Sequence, residues 1–331
     1  MPAEAGDAER ALPALVRRLA VAVRDAVRPH LGAHAGRAHD AEAAEGGDVT
    51  FDIDARAERV VAEFLAREAP SVAFYSEDRG LVTGSRPPSG TPVVLIVDPI
   101  DGTRPALAGL ESCCVSVAAA PLREDVTMGE VEVGCVVEIP SGAVFMAKRG
   151  RGLLEAPHVA LSTTDRVERM FWAYGFRGRP ARPTAEVLAE LIDRSSVGGA
   201  TFELGSAAFD MTRILTGQLD AYVEPGPRLV EEVPALRAEF ERVGGGAVLN
   251  NAPYDLAAAW LCLVEAGATV TDAGGRPLDD RPLLGSGAEY QMSVAASASA
   301  ALHAEIVASF DRGVARLRDG PVPRAEGAAV D

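Results

Sequence analysis

The chain has 331 residues, 48% of them apolar, and a formal charge of −16 at neutral pH. That length calls for one large or two closely packed domains, and the negative field excludes nucleic acid as a partner because no Lys- or Arg-rich block with interleaved aromatics offsets it. No apolar run is long enough to span a bilayer, the first residues are acidic and alanine-rich, and no Cys-x-x-Cys occurs, so the chain reads as soluble and cytoplasmic, with no membrane partner and with Cys113, Cys114, Cys135 and Cys262 reduced in its core.

Apolar Leu12, Leu15, Val16, Leu19, Val23 and Val27 recur at three- and four-residue spacing between arginines, which predicts an amphipathic helix from Glu9 to His30. The small, acidic, glycine-containing HDAEAAEGGDVT predicts a loop. DARAERVVAEFLAREAP predicts a second helix, with Val60, Val61, Phe64 and Leu65 on one face and a stop before Pro70. SVAFYSEDRG reads as a short strand ending at Ser76, which leaves Glu77 and Asp78 just past its end. VVLIV, residues 93–97, reads as a strand buried on both faces and ending at Asp98. ESCCVSVAAAPL and EVEVGCVVEIPSGAVFMAKRG then predict an antiparallel meander with a Pro-Ser-Gly turn. In the second half, SAAFDMTRILTG predicts a helix stopped at Gly217, DAYVE a strand, and DLAAAWLCLVEAG a helix opening at Asp255. ATVTDAGGRPL predicts a strand and turn, and MSVAAS a strand leading into a helix from Ser299. Strands alternating with helices predict α/β layers here, after an α+β first half. The division expected is one domain over 1–157, a second over 158–318, and a disordered tail over 319–331.

The chemistry concentrates in DPIDGT, residues 98–103. Hard divalent cations take oxygen ligands, and magnesium takes a few carboxylates while keeping waters and substrate phosphate for the rest. Asp98 and Asp101 offer two such ligands at a strand end. Pro99 fixes the turn, Gly102 lets a ligand approach the backbone, and the Ile100 carbonyl is free to face the same cation. The same residues also suit a plain surface turn after a strand. Glu77 follows another strand end, Asp255 opens a helix, and Asp54 lies at the start of another. Taken singly, Asp255 reads equally as an N-cap and Asp54 as a solvated helix-start charge. No G-x-x-x-x-G-K-[ST] phosphate loop occurs, and VGGGA lacks its lysine.

Taken together, these stretches resemble the inositol monophosphatase family of magnesium-dependent, lithium-sensitive phosphomonoesterases. DPIDGT is similar to the family's first signature, YSED to its upstream glutamate motif, and GGDVTFDIDARAE to its T-x-x-x-D-x-x-A-E segment. AKRGRGLLE is similar to its basic hairpin, ELGSAAFDMTRILTGQLDAYVE to its Gly-Ser-Ala helix, and YDLAAAWLCLVEAGATVTDAGG to its second signature. The resemblance runs from about Gly46 to about Ser309. It implies a layered αβαβα sandwich, a homodimer, and hydrolysis of a small phosphorylated metabolite, an inositol phosphate or sugar phosphate, by metal-activated water. It implies two or three Mg2+ ions, with Mn2+ as a substitute and Li+ as an inhibitor.

Carried over residue by residue, the resemblance gives Glu77, Asp98 and the Ile100 carbonyl to a first metal site, and Asp98, Asp101 and Asp255 to a second, with Glu77 sharing a third ion. The main metal site then falls in the first domain, and the second-metal aspartate and the substrate contacts in the second. Thr103, hydrogen-bonded toward Asp54, holds the attacking water together with Glu77, and the amides of Gly102 and Thr103 cradle a phosphate oxygen. Gly205, Ser206, Ala207 and Glu224 meet sugar or inositol hydroxyls. Three departures stand out. Tyr254 takes a place where the family often has Trp. Arg104, after the Asp-Gly-Thr, either clamps a second anionic group, which keeps a fructose or adenosine bisphosphate open as substrate, or faces solvent. Residues 225–251 greatly lengthen the link between Glu224 and Asp255. VPALRAEFERV predicts a short helix there and GGG a hinge, in a substrate-shaping flap, a surface insertion or a subunit contact. The reading from another class is a silent metal- or phosphate-binding regulator, against which stand the intact Glu77, Asp98, Asp101, Thr103 and Asp255.

Overall fold

The computed structural model describes residues 2–33, 39–43, 49–88 and 90–320. Helix α1 (Pro2–Val27) ends in a 3-10 turn at Arg28–His30, and it buries Val16, Leu19, Ala20, Val23 and Val27 completely. It starts earlier than predicted because alanine- and glutamate-rich residues favour helix without adding apolar periodicity. The stretch predicted as a loop instead contains an antiparallel pair, β1 (His39–Ala43) with β2 (Val49–Phe51). Valine, threonine and phenylalanine in β2 favour extended backbone, and a ladder forms even with His-Asp-Ala-Glu-Ala opposite. Helix α2 (Asp52–Glu68) buries Ile53, Ala57, Val61, Phe64 and Leu65.

Seven strands follow: β3 (Ala73–Ser76), β4 (Gly80–Val82), β5 (Val93–Asp101), β6 (Cys114–Pro121), β7 (Val133–Glu138), β8 (Val144–Lys148) and β9 (Gly152–Glu155), with α3 (Thr103–Ala108) after β5. They form one sheet in the order β4-β3-β5-β6-β7-β8-β9, in which only β3 and β5 run parallel. Leu95 and Val97 of β5 pack toward α1 and α2, whereas Val94 and Ile96 pack into the other core. Both faces of the strand are covered, so its sequence is apolar without alternation. The strand does not stop at Asp98 as predicted. It continues to Asp101, with its register against β6 shifted between those two aspartates.

The remaining elements are β10 (Phe171–Tyr174), α4 (Ala181–Ser195), β11 (Ala200–Phe202), α5 (Ala207–Leu215), β12 (Ala221–Glu224), α6 (Gly226–Glu232), α7 (Arg237–Val243), α8 (Pro253–Glu265), β13 (Thr269–Thr271), β14 (Val294–Ser297) and α9 (Ala300–Asp319). The strands make a second sheet in the order β11-β10-β12-β14-β13. Helices α5 and α8 fill the layer between the sheets, and every residue from Leu256 to Leu263 is buried. Gly134 permits that approach, since a Cβ there would lie 2.5 Å from the Ala258 carbonyl oxygen. Helices α4 and α9 close the outer face over Trp172, Ala221, Val223 and Ala295. The result is the layered αβαβα sandwich that the resemblance implies. Helix α9 reaches Asp319, the first residue of the predicted disordered tail, and residues 321–331 lie outside the described residues. No helix among the described residues is long and apolar enough to cross a membrane. All four cysteines are free and buried.

The segment 225–251 holds more helix than predicted. Helices α6 and α7, with a 3-10 turn at Pro234–Leu236 between them, bury Leu229, Leu236 and Phe240 fully in the α4–α9 core. Arg228 fastens the segment by donating to the Ala273 carbonyl and to Asp311 Oδ1, each at 2.7 Å.

Candidate metal centre and adjoining cavity

The end of β5 is folded by its own side chains. Asp98 Oδ1 accepts the Ile100 N–H at 2.9 Å, which curls the Asp-Pro-Ile-Asp segment and brings the Ile100 carbonyl to 3.1 Å from Thr103 Oγ1. Thr103 Oγ1 also lies 2.9 Å from Asp54 Oδ1, so its single proton is drawn to acceptors on two elements. Asp54 is fixed in turn because its Oδ2 accepts the Phe51 N–H at 2.9 Å, satisfying a free donor at the start of α2. Gly102 turns the chain into α3 with φ 89°, and a Cβ there would meet the Ser112 carbonyl oxygen at 2.5 Å. Both facts demand glycine.

Two helix starts converge on this strand end. Asp101 Oδ2 accepts from Ser206 Oγ at 2.7 Å and from the Ala208 N–H at 2.6 Å, while Ser206 Oγ also caps α5 by accepting the Phe209 N–H. Asp255 is the third residue of α8 rather than its first, and its Oδ2 accepts the Ala252 N–H at 2.6 Å. Carboxylate oxygens of Asp98, Asp101 and Asp255 thus lie within 4.8 Å of one another. Burial, then the charges of Asp101, Glu77 and Asp255, push the Asp98 pKa well above the usual carboxylate range. Burial raises Asp101 to about 6 against the lowering by Ser206, and burial with the Asp101 charge raises Asp255 to about 7. Helix dipoles alone do not offset that repulsion. An all-oxygen trio so charged and so buried is suited to coordinate a hard divalent cation. Glu77, just past β3, lines the same cleft outside the close trio.

The cleft over the trio adjoins a larger cavity. Glu77, Asp101, Arg177, Gly205 and Asp255 form their common wall. Gly205, Ser206 and Ala207 line the larger cavity. Arg104 borders only the cleft, with its guanidinium carbon 5.5 Å over the Phe51 ring. Glu224 lies behind the wall. It is fully buried, ion-paired with Arg179, and accepts the Gly226 N–H at 2.7 Å. Tyr254 lines the cavity and stacks on Tyr75 with ring centroids 6.5 Å apart.

Sequence reasoning missed several of the residues that shape this cavity. Arg177 and Arg179 leave the end of β10 in FRGRP, where two arginines two residues apart after a strand were the available signal. Asp210 lies within a recognised helix and carries no local mark of its role. Val248, Leu249, Asn250 and Asn251 bring the end of the 225–251 segment into the wall. They are held there by Gln291, which accepts from Asn250 Nδ2 at 2.9 Å and donates to the Val248 carbonyl at 2.6 Å. The helical part of that segment is therefore core, and only its last residues face the cavity.

Comparisons with known proteins agree with this arrangement. The sequence model of the inositol monophosphatase family matches residues 10–314. The chain is 26% identical over 269 residues to the Nus factor SuhB of Vibrio cholerae, covering 81% of this chain and 80% of that protein. It is 31% identical over 199 residues to the inositol-1-monophosphatase of Mycobacterium leprae, covering 59% of this chain and 66% of that one. Among solved structures, the extragenic suppressor protein SuhB of Bartonella henselae shares the fold with a TM-score of 0.68 at 20% identity, over 92% of this chain and 99% of that chain.

Proposed function

Because the chain belongs to the inositol monophosphatase family and is a phosphoric monoester hydrolase of that type, we propose that it hydrolyses a small phosphate monoester, an inositol phosphate, a sugar phosphate or a related metabolite, with magnesium at the Asp98, Asp101 and Asp255 centre. The observation that carries this reading is the trio of carboxylates, Asp98 and Asp101 buried and Asp255 half-buried, within 4.8 Å of one another at the floor of a cleft joined to a cavity. A phosphate dianion is repelled by that trio, so cations must stand between them. Glu77, Asp98 and the Ile100 carbonyl would hold one ion, Asp98, Asp101 and Asp255 a second, with Glu77 sharing any third. Bound there, magnesium supplies Lewis acidity toward the phosphoryl group and the leaving alkoxide and lowers the pKa of water, and manganese suits the same oxygen donors.

The chain's own residues orient the reactants and carry the proton. Thr103 Oγ1, with its hydrogen directed to Asp54 Oδ1, keeps lone pairs free to accept a hydrogen bond from the attacking water. The Glu77 carboxylate is the second acceptor for that water. The N–H groups of Gly102 and Thr103 hold a phosphate oxygen at the turn, while Gly205, Ser206 and Ala207 bound the space for the alcohol. A phosphate-release screen over a panel of monoesters, with magnesium and with chelator, tests the reading. Release that requires magnesium is expected, and equal release in chelator would remove the metal from the reaction.

A further inference from the structure

Helix α5 serves two places one turn apart. Its first turn holds Asp101 through Ser206 Oγ and the Ala208 N–H, and Asp210 then reaches the larger cavity beyond the metal centre. Asp210 is 1% exposed, and its Oδ1 has no hydrogen-bond partner among the described residues. A buried carboxylate oxygen left unpaired is costly, and a fold retains one where a ligand completes it.

The charges around Asp210 are equally incomplete. Burial, then the charges of Asp101 and of Glu203, which lines the same cavity, hold the Asp210 carboxyl well above the usual range against the lowering by Arg213. Arg179 is ion-paired with Glu224 inside the wall, and its Nε has no hydrogen-bond partner among the described residues. Arg213 is ion-paired with Glu138 and stacked 4.4 Å from the Phe209 ring centroid. Arg177 acts on Asp101 and Asp255, at the metal end. A second phosphate or carboxylate at the Asp210 end would meet two like charges. A hydroxyl would supply a hydrogen bond and leave the charge, whereas an ammonium group supplies both.

We propose that Asp210 forms a subsite for a cationic group, so that the preferred substrate is a phosphate monoester whose alcohol carries an amine. This deepens the hydrolase reading and rests on it. Asp210 binds the substrate's remote end and takes no part at phosphorus, so its effect belongs in specificity.

The test measures magnesium-dependent phosphate release from 2-aminoethyl, 3-aminopropyl and 4-aminobutyl phosphates. Each is set against the n-alkyl phosphate and the alkanediol bisphosphate of equal length, with p-nitrophenyl phosphate reporting on hydrolase activity alone. The best amine ester should exceed its alkyl partner in kcat/KM by at least about ten-fold, with the bisphosphate poorest. Asp210→Asn, which keeps the shape and removes the charge, should bring the amine-to-alkyl ratio close to one, chiefly through KM. Equal kcat/KM for amine and alkyl esters in the wild type, or a ratio unchanged by Asp210→Asn, overturns the proposal. If Asp210→Asn does not fold, the wild-type ratio decides. If no ester is hydrolysed at all, the hydrolase reading fails on its own. Calorimetry with 3-aminopropanol then reads the subsite: binding weakened by Asp210→Asn upholds it, and absent or unaltered binding overturns it.

Discussion

Asp98 stands where both proposed ion sites meet, so Asp98→Asn should remove magnesium-dependent phosphate release while circular dichroism reports a retained fold; near wild-type turnover would sink the two-ion assignment. Thr103→Ala should act differently, because the hydroxyl serves the attacking water and not the bound phosphate. A fall of about 10²–10⁴-fold in kcat with KM little changed is expected, and a raised KM at constant kcat would make Thr103 a binding residue. The carboxylates also make stability depend on pH. Asp98, Asp101 and Asp255 have folded pKa values raised above the unfolded carboxylate value, to about 6 for Asp101 and about 7 for Asp255. The folded chain therefore binds more protons than the unfolded one, so the metal-free protein should lose stability as pH climbs from about 4 to about 7. Added magnesium should stabilise more at about pH 8 than at about pH 5, because the cation competes with those protons. Thermal melts with chelator and with magnesium check this, and an equal magnesium shift at both pH values counts against the cluster as the ion site. At this scale the aspartates of DPIDGT were legible because proline, glycine and short spacing constrain them locally. Asp210 and Arg179 were not, because what distinguishes Asp210 is burial with an unpaired oxygen, and what distinguishes Arg179 is a partner far along the chain.

At the scale of elements, residues 225–251 changed most between sequence and structure. VPALRAEFERV has an apolar row that suits an exposed flap as well as a buried helix, and nothing in one sequence says which surface receives it. In the fold, Leu229, Leu236 and Phe240 are fully buried against α4 and α9, and Arg228 ties α6 to α9 through Asp311. Excising the segment would thus open a core, and a loss of activity in such a deletion would say little about substrate. Phe240→Ala separates the two roles. It should cost about 3–5 kcal/mol in urea unfolding, the usual price of emptying a buried aromatic site. Hydrolysis of p-nitrophenyl phosphate by the folded variant should stay near wild type, since Phe240 does not line the cavity. A cost well under about 1 kcal/mol would return the segment to a mobile surface role.

At the scale of the whole molecule, the layers explain why the centre lies where it does. The larger sheet contributes Asp98 and Asp101 from the end of β5, and the middle helical layer contributes Asp255, Ser206 and Ala208 from α8 and α5. The loop after β10 in the smaller sheet contributes Arg177 and Arg179 to the adjoining cavity. Hydrophobic patterning made the strands and helices of this sandwich largely legible; β10, α4 and β11 went unassigned, although α4 carries Val187, Leu188 and Leu191 at helical spacing. Strands of three or four residues are too short for a period, and fully buried Trp172 owes its place to helices distant in sequence. A centre assembled from several layers couples ion binding to the packing between them. Magnesium that binds the folded chain alone stabilises it by about 2.7 kcal/mol at 100 times Kd. The melting temperature should therefore rise with magnesium concentration in one cooperative transition, and Asp255→Asn should remove most of that rise. Hydrogen exchange should locate the same coupling: magnesium should slow exchange together at residues 98–103, at the first turn of α5 and at the first turn of α8. Protection confined to residues 98–103 would mean that the ions are held by the β5 turn alone, and that the convergence of α5 and α8 serves packing without closing the site.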